Sequence, residues 1–181
     1  MSQNRQTEIM ELQVETVTNA QKIITTDHAN IHSSMGFSVS GIFASVANGA
    51  TVNYAFKTPS VASGKYIHLK YKEIQSSANK IRVDLYEAPT NAPINGNNLT
   101  PYNRNRVGTP TATAMQSVKS GMTIDLTGAT MINSEQFLSG QARSLDLEWL
   151  LKPDTWYIRT LTNATGSATD ISFFEFWYEE F

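Results

Sequence analysis

The sequence predicts an all-β fold, an antiparallel β-sandwich of jelly-roll type, and three observations carry that expectation. Short apolar-alternating runs recur from Phe37 to the end of the chain, separated by turn clusters, with no long stretch of helical period between them. The 181 residues suffice for one domain with a substantial core and argue against two. The last stretch, Asp170 to Phe181, puts Ile171, Phe173 and Trp177 on one side of a strand and Phe174, Phe176 and Tyr178 on the other. A strand that is apolar on both faces needs a facing sheet on one side and a further cover on the other.

Taken in order, residues Met1 to Asp27 carry a loose helical stripe, Ile9, Leu12, Thr16, Ala20, that would serve equally well in an extended arm. The β-branched Val14-Glu15-Thr16-Val17-Thr18 disfavours a long helix, so a short helix followed by an extended arm is expected. The sandwich itself is expected over residues 28–181. Phe37-Ser38-Val39-Ser40-Gly41-Ile42-Phe43 alternates, breaks at Asn48-Gly49 and resumes as Thr51 to Phe56, a pair able to form a hairpin. Tyr66 to Lys72 and Lys80 to Tyr86 flank the polar Gln75-Ser76-Ser77-Ala78-Asn79 and read as a half-buried hairpin, with Ile81, Val83 and Leu85 inward.

Glu87 to Pro110 is proline- and asparagine-rich and longer than an ordinary connection, which marks it as a functional loop or interface arm. Further strands are expected at Thr113 to Val118, Met122 to Leu126, Ser144 to Leu150 and Trp156 to Leu161, the last two joined by a turn at Lys152-Pro153-Asp154-Thr155. Eight or nine short strands without intervening helices give the sandwich.

Composition narrows the function classes. Fourteen Lys and Arg against 16 Asp and Glu give a net charge of -2 and no basic block, so nucleic acid is not an expected partner. Ser, Thr and Asn make up 51 residues, a surface of hydroxyls and amides suited to β-edges and wet interfaces. The absence of cysteine removes disulfides, thiolate metal sites and cysteine nucleophiles. The first thirty residues lack a signal-peptide core and no run approaches a membrane span, so synthesis in a cytoplasm and no membrane partner are expected. The sequons at Asn98 and Asn163 are then chance matches.

Four segments, His28-Ala29-Asn30-Ile31-His32-Ser33-Ser34-Met35-Gly36-Phe37, Leu99-Thr100-Pro101-Tyr102-Asn103-Arg104-Asn105-Arg106, Trp149-Leu150-Leu151-Lys152-Pro153-Asp154-Thr155-Trp156-Tyr157 and Trp177-Tyr178-Glu179-Glu180, occur in this order. Together they resemble a family of small tailed-bacteriophage virion structural proteins of the head decoration or cement type. The resemblance implies a β-sandwich protein that oligomerises on the assembled shell and cements neighbouring capsomers; a homo-oligomer, a trimer, that binds the major capsid protein is expected on that reading. It covers about Thr26 to the end, and the implied location is the virion surface.

The candidate chemistry has ordinary readings beside the sharper ones. His28 and His32 would share one face of a helix as in a zinc site, but no third ligand is spaced nearby and Ser33-Ser34-Met35-Gly36 predicts a turn into a strand. Hydrogen-bonded histidines anchoring the arm are expected, with no metal and no cofactor. Asp146 with Glu148, and Glu175 with Glu179, suggest carboxylate pairs, yet Arg82, Arg143 and Arg159 are available as ion-pair partners and no glycine-serine elbow is present, so no catalytic residue is assigned. Trp149, Trp156 and Trp177 sit inside apolar runs and read as core; an exposed set would instead make a glycan-binding or tail-associated adhesion module. Interface candidates, toward another copy or the capsid, are Asn103, Arg104, Asn105 and Arg106, whose guanidinium forks suit carboxylates, and the aromatic Phe174, Phe176, Trp177 and Tyr178.

Overall fold

The computed structural model describes residues 12–14, 21–23, 26–77, 80–107, 111–137 and 143–180. The expectation for Met1 to Asp27 falls largely outside these. Within the described part, β1 (Leu12–Val14) pairs antiparallel with β2 (Gln21–Ile23), and helix α1 (Thr26–His32) follows.

The remaining strands form two facing antiparallel sheets. They are β3 (Gly36–Val46), β4 (Thr51–Lys57), β5 (Tyr66–Ser76), β6 (Ile81–Glu87), β7 (Asn97–Asn98), β8 (Tyr102–Asn103), β9 (Ser117–Ser120), β10 (Thr130–Phe137), β11 (Arg143–Leu151), β12 (Trp156–Asn163) and β13 (Thr169–Glu180). The five-stranded sheet runs β11-β5-β13-β3-β8 and the six-stranded sheet β10-β6-β12-β4-β9-β7. Between them lies one apolar core that includes Phe37, Tyr54, Phe56, Leu69, Val83, Leu85, Tyr157, Leu161, Phe173 and Trp177. Among the described residues no helix is long and apolar enough to cross a membrane.

Two expected pairings are not formed. β3 and β4 lie in different sheets, and so do β5 and β6. Alternation says that a strand has an inward apolar set; it does not say whether its sequence neighbour lies beside it or opposite it, since both bury that set. The intervening turns are therefore corners between sheets. At the first corner Gly49, with φ of 78°, donates from its backbone to Asn163 O at 2.7 Å. A left-handed residue lets the chain reverse there without a Cβ clash. The fully buried Asn163 side chain donates to Val46 O and Ser167 O, both at 2.8 Å, and accepts from Thr165 N at 2.9 Å. Its burial and full use bar this sequon from modification in the folded chain. A third corner closes where the Thr58 hydroxyl donates to Lys152 O at 2.7 Å and accepts from Thr155 N at 2.9 Å.

The long segment that begins at Glu87, described as far as Val107, is tied to both sheets: β7 extends the six-stranded sheet and β8 the five-stranded one. The strand expected at Thr113 to Val118 is shorter and later, as β9, and Met122 to Leu126 is a strap whose ladder pairing is the isolated Ile94–Thr123 bridge. β10 escaped sequence reading because it is an edge strand with mixed exposure, interrupted by a register shift between Met131 and Asn133.

Candidate functional site

β13 is the middle strand of its sheet, flanked by β3 and β5, and its side chains alternate strictly. Ile171, Phe173, Glu175, Trp177 and Glu179 point into the sandwich, all within 3 % exposure. Phe174, Phe176 and Tyr178 point outward, where a second cover was required. That cover comes from the same chain.

Over Phe176 lies the guanidinium of Arg104, 4.9 Å from the ring centroid, in cation–π contact. Ile31 of α1 packs alongside, and Gly36 makes its approach possible: a Cβ there would sit 3.1 Å from Ile31 Cγ1 and 3.4 Å from Phe176 Cε2. At the end of helix α1 the backbone N–H groups of Ser33, Met35 and Ser34 bond to Ala29 O, Asn30 O and Ile31 O, and the two asparagines take the carbonyls beyond these, His32 O and Ser34 O. Asn103 Nδ2 donates to Ser34 O at 2.7 Å, and Asn105 Nδ2 to His32 O at 2.9 Å and Ser34 Oγ at 3.0 Å. Each asparagine also accepts from the backbone two residues on, Asn105 N and Val107 N, so the loop folds as two successive Asx turns. The backbone of Arg104 then reaches Gly36 O at 2.8 Å, and Glu179 N reaches Met35 O at 3.0 Å.

Tyr178 is covered by a charged cluster. Its ring stacks on His68 with centroids 4.6 Å apart, and its hydroxyl donates to Glu148. His68 stands between two carboxylates, Nδ1 3.1 Å from Glu148 and Nε2 3.1 Å from Glu180, while Lys70 lies 3.2 Å from Glu148. The Tyr178 hydroxyl bond, helped by Lys70 and His68 against partial burial, holds the Glu148 carboxyl below its ordinary range. Around this covered centre the same sheet face exposes Ile42, Leu150, Tyr102 and Tyr66, at 72 %, 63 %, 58 % and 48 %. These are four of the eight large apolar residues exposed among the described residues; Val61, Ile94 and Val107 lie outside the strands and Met131 on β10.

A second constellation lies inside the sandwich. Arg159 Nη2 donates to Glu175 Oε1 at 2.6 Å, and the Tyr54 hydroxyl donates to Glu175 Oε2 at 2.5 Å, so that β12, β4 and β13 are joined across the core. Lys72, the cross-strand neighbour of Glu175, reaches over to Glu135 of β10 at 2.6 Å. Burial acts to lower the Arg159 pKa, but the charge of Glu175 reverses that and the group stays protonated; burial, then the Arg159 charge, pull Lys72 down; burial and Glu175 push Tyr54 well up. Breaking such a buried pair costs more than its net contribution, because one charge is left uncompensated. Near one end of the sandwich Glu179 accepts from Thr113 Oγ1 at 2.5 Å and Ala114 N at 2.9 Å, pinning the incoming segment to β13.

The sequence-predicted residues thus separate. Asn103 and Asn105 hold the helix and loop, Arg104 caps Phe176, and Arg106 is exposed. Phe176 and Tyr178 are buried under their own chain, Phe174 is half-buried, and Trp177 is core, stacked on Phe37 at 6.1 Å. Trp149 packs against the main core and Trp156 against a separate cluster, so the three tryptophans do not gather into one platform. Glu175 and Glu179 are each committed inside the sandwich and Glu148 outside it; the Asp146 side chain lies outside the described residues. His28 and His32 are on α1 and hydrogen-bonded to each other; the arm that they were expected to anchor lies largely outside the described residues. Among the described residues no group of three or more His, Asp or Glu is placed to hold a metal. Sequence reading missed His68, Tyr54, Lys72 and Glu135, whose partners lie 16 or more residues away along the chain. Neither a protein-family model nor a curated protein matches this chain.

Proposed function

We propose that the chain is a non-enzymatic virion structural protein of a tailed bacteriophage, a jelly-roll module that self-associates, as a trimer, and decorates or cements the capsid lattice. The observation that carries this reading is convergence. Three of the four segments behind the family resemblance meet at one place, through Asn105 to His32, Asn103 to Ser34, Arg104 to Gly36, Glu179 to Met35 and the Phe37–Trp177 stack. The segments behind the resemblance therefore sit together as one structural unit of this chain, which supports reading them together. The strand orders β3-β13-β5-β11 and β4-β12-β6-β10 support the jelly roll, since consecutive strands interleave between sheets as two Greek keys do.

The outer face of the five-stranded sheet is the docking face in this reading. Edge pairing is discouraged: the long edge strands β10 and β11 carry register shifts, and β7 and β8 are two residues each. Exposed Ile42, Leu150, Tyr66 and Tyr102 instead offer apolar contacts between polar neighbours. Pelleting of the purified chain with assembled capsids tests the proposal. Saturable co-sedimentation at a fixed number of copies per capsomer supports it; no binding to capsids, with retention on a glycan array, would move the assignment to an adhesion module.

A further inference from the structure

The geometry points to a divalent transition-metal site on helix α1, formed by Nε2 of His28 and Nε2 of His32 and suited to a borderline cation such as Zn(II) or Ni(II). Four residues apart on a helix, the two imidazoles fall on one face. Both are exposed, their ring centroids are 4.5 Å apart, and their Nε2 atoms approach to 2.8 Å. A cation holding two imidazoles at roughly 2.0–2.1 Å with an angle between about 90° and 109° needs the nitrogens about 2.8–3.4 Å apart. A movement of a few tenths of an ångström therefore converts the hydrogen-bonded pair into a chelate.

The chemistry of the pair is already suited to a metal. The Nε2–Nε2 hydrogen bond requires at least one neutral imidazole, and a metal takes neutral imidazole. On binding, the proton shared between the two Nε2 atoms moves to an Nδ1 by tautomer exchange, and water fills the remaining positions, so no other reactant is needed. The charge is also well placed, because His32 occupies the last turn of α1, where a cation interacts favourably with the helix carbonyl end. The third histidine of the chain, His68, is engaged with Glu148 and Glu180 and is an internal control.

A chelate here would act on the cover of β13. α1 has seven residues, well short of the length at which a helix is stable alone, and its Ile31 packs at Phe176. Tying residues 28 and 32 together stabilises that turn and closes it over the sheet.

The test uses the untagged full chain. Retention on immobilised Ni(II), lost in His28→Gln and in His32→Gln and kept in His68→Gln, is the expected result. Calorimetric titration with zinc chloride should give one site per chain, and saturating zinc should raise the melting temperature by about 2–4 °C, reversed by chelator. Circular dichroism checks that the variants keep the parent fold; should one not, the zinc stoichiometry of the parent decides. A parent chain that neither binds Ni(II) nor takes up zinc overturns the proposal, as does unchanged retention of the folded His28→Gln chain.

Discussion

The two sheets meet the same requirement on their outer sides and meet it differently. On the six-stranded sheet, Ala55 and Ile158 are fully buried beneath Met122, with Ile124, Leu126, Tyr86 and Trp156 around them. The strap is locked by the side chain of Asn53, which donates to Met122 O and accepts from Met122 N, both at 2.9 Å, imitating a strand pair. On the five-stranded sheet the cover is a short helix, a guanidinium and a charged cluster over Phe176 and Tyr178, and apolar side chains remain exposed around it. One face is covered by the chain along its centre, with Met131 at its β10 edge and Ile94 beside the strap still exposed. The other is covered over Phe176 and Tyr178 of its middle strand while Tyr66, Tyr102, Ile42 and Leu150 stay exposed, which is the arrangement expected of a surface that still has a partner to meet.

The closed face should report itself in stability. Ile158→Ala is expected to cost about 2–5 kcal/mol, from the lost transfer energy and the cavity left beneath the strap. Denaturant unfolding measures it, and a cost below about 1 kcal/mol would mean that the strap is not packed as described. Asn53→Ala should cost about 1–3 kcal/mol, because the backbone groups of Met122 lose their partners while staying out of water. Faster amide exchange at Met122 should accompany it. Unchanged exchange there would show that the strap is held by its apolar contacts alone and that the contrast between the faces is weaker than drawn.

The fold class and most strands were legible in the sequence because inward alternation survives any arrangement of neighbours. Pairing was not, because Phe37 to Phe43 and Thr51 to Phe56 carry the same alternation whether they lie side by side or face to face. The demand for a second cover could be read from Phe174, Phe176 and Tyr178, but its source could not: Arg104, Ile31 and His68 come from three separate segments. The Asn103 to Arg106 motif stood out, and its asparagines proved to be the working part, since helix-end carbonyls are invisible until the helix is placed. Glu175 and Arg159 were legible as charges but not as a buried pair, which only the facing of β12 and β13 creates.

Acid should test the cluster over Tyr178 on the open face. Glu148 has its folded pKa held below the ordinary 4.5 by Tyr178, Lys70 and His68. The proton therefore favours the unfolded chain: the contribution is complete above about pH 4.5 and disappears as pH falls through the depressed folded value. Glu148→Gln is expected to lower stability modestly at neutral pH and to flatten the loss of stability on acidification below about pH 4.5, read by thermal melting across the range. An acid limb identical to that of the parent would show that the cluster over Tyr178 does not bind its carboxylate as drawn. On the closed face the packed residues Met122, Ile158 and Ala55 do not titrate, and a depressed carboxyl there is Asp125 of the strap, held down by Thr127 and Asn91.

The most direct test of the open face is the double variant Ile42→Asp, Leu150→Asp, compared with the parent in light scattering and capsid pelleting. Both positions are exposed, at 72 % and 63 %, so stability should change by no more than about 0.5 kcal/mol per substitution. The double variant is expected to melt as the parent does and to lose association with its own copies and with capsids. A variant that associates as fully as the parent would contradict the assignment of the five-stranded sheet as the docking face.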